Sequence, residues 1–109
     1  MNEEIKAYIE QYPKEIADMF MALRQIVRDS VSVETEEKMW AKLPSYYAGE
    51  KFVRLIPFKD HINIEAEAMI QYKNELSGYK LTPKGMLQLT LKQSIPRDIL
   101  LRVFSETLN

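Results

Sequence analysis

A chain of 109 residues, 46% apolar and 28% charged, has material for one domain around one modest core. With no cysteine it has no disulfide, thiolate nucleophile or cysteine-ligated metal, and no apolar run approaches the roughly 20 residues of a membrane-spanning helix. The net charge of −1 hides an asymmetry: residues 1–37 hold nine acids and four bases, the remainder eleven bases and seven acids, and an acidic first third argues against nucleic acid as a partner.

The opening MNEEIKAY has neither the basic nor the apolar region of a signal peptide, so a cytoplasmic location without membrane contact is expected. Ile5, Tyr8, Ile9 and Tyr12 recur at helical spacing, with Glu3 and Glu4 near the positive end of a short first helix. Tyr12-Pro13 re-aims the chain, and Pro13 suits the first position of a second helix. Ile16, Met19, Phe20, Leu23, Ile26 and Val27 then form one stripe, which predicts an amphipathic helix from Pro13 to about Asp29.

From Glu36 the period becomes two. Lys38, Trp40 and Lys42 would share one strand face and Met39, Ala41 and Leu43 the other, with Pro44 ending that strand or placing it at an edge. A short strand is expected over Ser45–Ala48, a tight turn at Gly49-Glu50, and a strand over Lys51–Phe58. Lys59-Asp60 turns the chain again into His61–Glu65, where Ile62 and Ile64 face the core. Glu65 to Leu76 is helix-competent, and Ser77-Gly78 is a plausible stop. Tyr79–Gly85 reads as a loop and Met86–Leu91 as a strand with its leucines on one face. Ile95-Pro96 opens a last helix lined by Ile99, Leu100, Val103, Phe104 and Leu108. The expected order is α-α-β-β-β-β-α-β-α: a single α+β domain over residues 1–109, with an antiparallel sheet of four to five strands packed against N- and C-terminal helices.

Catalytic chemistry is thinly provided for. His61 is the only histidine, its neighbours Asp60 and Asn63 make no triad signature, and Ser45 lacks a G-x-S-x-G setting. Three glycines form neither a dinucleotide nor a phosphate loop. The chain is therefore expected not to be an enzyme. Hard-cation binding is better served. Glu15 and Asp18 lie three apart on the second helix, and Glu34, Glu36 and Glu37 gather just before the first strand. His61 with Glu65 on one strand face is a second pairing that suits iron. The plainer alternative for all these acids is a solvated helix face with ordinary ion pairs. An aromatic and lysine cleft is the competing ligand site: Trp40, Tyr46, Tyr47 and Tyr79 as walls, with Lys42, Lys80 and Lys84 supplying charge for an anionic ligand. There too the plainer alternative is packed aromatics beside solvated lysines.

Taken in order, EEKMWAKLPSYY, FVRLIPFKDHINI, LSGYKLTPKGMLQLTL and IPRDILLRVFSETL resemble the YdhG-like family of small bacterial proteins across almost the whole chain. That family includes a frataxin-like iron chaperone. The resemblance implies a compact α+β fold, iron as the bound metal, and iron–sulfur or haem assembly proteins as partners. Lys42-Leu43-Pro44 stands where the family usually has Gly-Met-Pro, and Glu65-Ala66 where an aromatic-Pro pair is common. No family motif assigns iron ligands to individual positions here. Oligomeric state is left open.

Overall fold

The computed structural model describes residues 1–109 as two helices, a six-stranded antiparallel sheet and a closing helix. Helix α1 (Glu3–Ile9) starts at Asn2, whose side-chain oxygen accepts from the Ile5 amide at 3.0 Å. Helix α2 (Lys14–Ser30) starts after Pro13 and buries the expected stripe from Ile16 to Val27. Strands β1 (Glu36–Trp40), β2 (Leu43–Ala48), β3 (Lys51–Pro57) and β4 (His61–Ala66) form a meander. A 3₁₀ helix (Glu67–Tyr72), the two-residue β5 (Lys80–Leu81), β6 (Leu87–Thr90) and α3 (Arg97–Leu108) complete the chain. The strands lie in the order β1-β2-β3-β4-β6-β5.

The α+β class and the order of elements are as the sequence predicts, with four local differences. The first hairpin turns at Ala41 and Lys42, both at positive φ (49° and 67°), rather than running straight to Leu43. Two left-handed residues are what a two-residue turn needs to match strand twist, and here they are not glycine. Pro44 sits inside β2, opposite Met39 and one residue before the β2–β3 ladder begins at Ser45. The missing amide therefore costs no bond to β3. The third difference lies after β4: the helix expected over Glu65–Leu76 is a 3₁₀ turn, because Glu65 and Ala66 stay paired with Arg54 and Val53. Within the expected loop, Lys80 and Leu81 pair with Gln88 and Leu87 and add a sixth strand.

Alternation along the strands creates two unlike sheet faces. Tyr46, Val53, Leu55, Ile62, Ile64, Leu87 and Leu89 point to one side and are buried in a single cluster with residues of all three helices. Each buried aliphatic side chain contributes about 1.5–3 kcal/mol. The other face, bearing Trp40, Tyr47, Phe52, Arg54, Ile56 and His61, has no helix over it, since both long helices pack on the core side.

Ile62 is wholly buried near the start of β4, paired with Pro57 of β3 and Leu89 of β6. Ile62→Ala is expected to lower unfolding free energy by about 2–5 kcal/mol in urea melts. Replacing Ala41-Lys42 with Asn-Gly removes left-handed strain and should raise it by about 1 kcal/mol.

Candidate functional site

Register explains how the uncovered face is assembled. Lys38, Ser45, Arg54 and Glu65 form one row across β1 to β4, and Glu36, Tyr47 and Phe52 form the next. At the junction sits Arg54, whose residue is only 6% exposed although it lies on the open side. Its guanidinium lies 3.7 Å from the centre of the Phe52 ring and 4.0 Å from that of Trp40. Its edge donates to Ser45 Oγ at 3.2 Å, Glu65 Oε1 at 3.2 Å and the Tyr47 hydroxyl at 2.8 Å. The planar fork of arginine satisfies three acceptors while its faces stay free for the rings. Each stacked contact contributes about 0.5–2 kcal/mol. Trp40 remains 49% exposed, so one surface of the indole is fixed on Arg54 and the other is open to a partner. Lys38 reaches the Tyr47 ring at 4.7 Å and pairs with Glu36 at 3.3 Å, extending the polar frame to the sheet edge.

Further along the same face, the Phe58 and His61 rings stack with centroids 4.4 Å apart. His61 Nδ1 meets Asp60 Oδ1 at 2.7 Å. The hydrogen bond from His61 holds the Asp60 carboxyl below its ordinary range. Phe58 is 41% exposed, so this end of the face carries an apolar side chain at its tip.

The aromatic residues expected to make one cleft divide between sites. Trp40 and Tyr47 share the uncovered face, whereas Tyr46 is 2% exposed on the core side. Burial pushes its hydroxyl pKa strongly up, with the nearby Glu37 carboxylate adding to the rise. Tyr79 lies between the 3₁₀ helix and β5, its hydroxyl donating to the Ser94 backbone oxygen at 2.6 Å. Lys80 is on the uncovered face at the far sheet edge, and Lys84 lies in the β5–β6 turn.

The acids of the first third take several roles. Glu15 and Asp18 are exposed on α2, and Asp18 is paired with Lys14 at 2.8 Å. Glu37 is withdrawn from solvent, held by Arg24 through Nε and Nη2 and by the Asn2 amide at 2.8 Å. Glu15 and Asp18 precede Arg24 by nine and six residues, roughly 14 and 9 Å along the helix, so they do not join Glu37. Glu34 and Glu36 are exposed and line one shallow cleft with Tyr47 and Gly49. His61 and Glu65 share a strand face, but Glu65 faces Arg54 and His61 faces Asp60. No group of three or more histidine, aspartate or glutamate side chains converges in a metal-holding arrangement.

Arg54 and Phe52 escaped the sequence reading, although a readable signal was present. In Phe52-Val53-Arg54-Leu55-Ile56 the charged residue occupies the position opposite two core residues, so Phe52 and Ile56 must share its face. No family model, curated protein or solved structure matches this chain.

Two outcomes test the site's chemistry. Burial alone would raise the Glu37 pKa, but the hydrogen bonds from Arg24 and the Asn2 amide outweigh it and leave it lowered. A lowered carboxylate pKa stabilises the fold above the unfolded value and loses that contribution as pH falls through the folded one. Glu37→Gln should therefore cost about 1–3 kcal/mol at neutral pH. In pH-resolved urea melts, the gap to wild type should close below about pH 4. Arg54→Gln should cost a similar 1–3 kcal/mol, and with its stacking partner gone Trp40 fluorescence should become more readily quenched by acrylamide.

Proposed function

We propose that the protein is a small, non-catalytic iron chaperone of frataxin-like type, which docks an iron–sulfur or haem assembly protein on the uncovered face of its sheet. One observation carries the docking part of this reading. A six-stranded sheet leaves a whole face without a helix, and that face is organised around a buried arginine that presents Trp40 half-exposed. Tryptophan and tyrosine held in fixed rotamers lose little entropy on association, which is why such residues anchor interfaces. The identity of the cargo follows the YdhG-like resemblance. Exposed Glu34 and Glu36 in one cleft, with Glu15 and Asp18 on α2, offer oxygen ligands of the kind that hold a cation loosely enough to release it.

A division of labour follows, in which the acids bind iron and the face chooses the recipient. Anaerobic titration with Fe²⁺ should broaden amide resonances around Glu34 and Glu36 first, and Glu34→Gln/Glu36→Gln should abolish that broadening. Trp40→Ala should leave the iron titration unchanged and slow delivery to an iron–sulfur scaffold protein at least tenfold. Broadening that is absent at stoichiometric iron, or delivery indifferent to Trp40, would contradict the reading.

A further inference from the structure

At the opposite end of the uncovered face from Phe58, where β2 turns into β3 and β4 runs into the 3₁₀ helix, lies an open cavity of about 520 Å³. The β5–β6 turn closes its far side with Lys84 and Gly85. This volume is in the range of small-molecule sites. Its floor is apolar, made by Phe52, Ala66 and Ile70. Ile70 is 55% exposed, more than any other large apolar side chain in the molecule. Phe52 has one ring face engaged by Arg54. Phe52 and Ile70 thus give the lining two large apolar side chains beside Ala66.

The polar groups above this floor are unevenly matched. Glu65 is taken by Arg54, but Glu50 and Glu67 enter no ion pair. Lys51 turns its ammonium to the Asn109 backbone oxygen at 3.0 Å, which leaves Lys84 as the free cation of the lining. Unpaired carboxylates outnumber it, so a simple anion is repelled. The acids do not converge as a metal site requires. The complement of this lining is an organic molecule with an apolar body and a positively charged head.

We propose that this cavity binds small apolar primary amines, amino acids among them, with the body on Phe52 and Ile70 and the ammonium between Glu50 and Glu67. Lys84 then discriminates within the class, since it gives a carboxylate-bearing amine a second anchor. The cavity shares Phe52 with the docking face but not Trp40, and its test does not depend on docking.

Amide chemical shifts of the full chain, titrated with phenethylamine, L-phenylalanine and 3-phenylpropanoate, test the proposal. Both amines should shift Ile70 and Gly85 with dissociation constants on the order of 1 mM, while 3-phenylpropanoate should leave them in place. Glu50→Gln/Glu67→Gln should weaken both amines at least tenfold, and Lys84→Ala should weaken L-phenylalanine alone. Trp40→Ala should change neither. These acids are on the surface, so an otherwise unchanged spectrum of the double variant shows that it is folded. Failure of both amines to shift these residues would overturn the proposal. So would equal binding of 3-phenylpropanoate, or retention of amine binding by the double variant.

Discussion

Burial on one side only is the constraint from which the molecule follows. Helices α2 and α3 both pack on the face bearing Val53, Leu55, Ile62, Ile64, Leu87 and Leu89, and no helix of residues 1–109 lies on the other side. The opposite face must therefore be stable in water while keeping aromatic residues in fixed positions. Arg54 meets that requirement. Its charge is matched by Glu65, its remaining edges by Ser45 and Tyr47, and its faces by Phe52 and Trp40. A lysine at this position offers a point charge without a plane, and could not hold two rings and three acceptors together.

A second buried arginine does comparable work at the other edge of the core. Arg24 of α2 holds Glu37 of β1, and the same carboxylate accepts from the amide at the start of α1. Three consecutive elements are tied through one carboxylate. An acid that looked like a member of a metal cluster is thereby committed to structure. The acids left in solvent, Glu34 and Glu36 among them, are the ones the proposed iron role would draw on.

Much of the fold was legible because helices and strands advertise their periods. The stripe from Ile16 to Val27, the alternation through Ile62 and Ile64, and the Gly49-Glu50 turn all lie where the pattern put them. What escaped was decided by pairing across the sheet. Ala41-Lys42 carries no turn signature, yet the register of Met39 on Pro44 forces the hairpin there. Lys80-Leu81 became a strand because β6 offered a free edge. The helix-competent run after Glu65 yielded its first residues to the β3 ladder. The site was less legible for the same reason. Tyr46 and Tyr47 are neighbours in sequence but occupy opposite faces, and Trp40 meets Arg54 only after two chain reversals. Carboxylates close in sequence separated according to which of them found an arginine.

In the proposed docking, the face organised by Arg54 is open in the free protein and covered when the assembly protein binds. Attenuation of amide resonances by a soluble gadolinium chelate, recorded with and without an iron–sulfur scaffold protein, measures this residue by residue. Strong attenuation is expected across Trp40, Leu43, Phe52, Ile56 and His61 in the free protein, with its loss at those positions when the scaffold is added and α2 and α3 unchanged. Protection appearing on the helices instead, or an uncovered face equally attenuated with and without the scaffold, would contradict it.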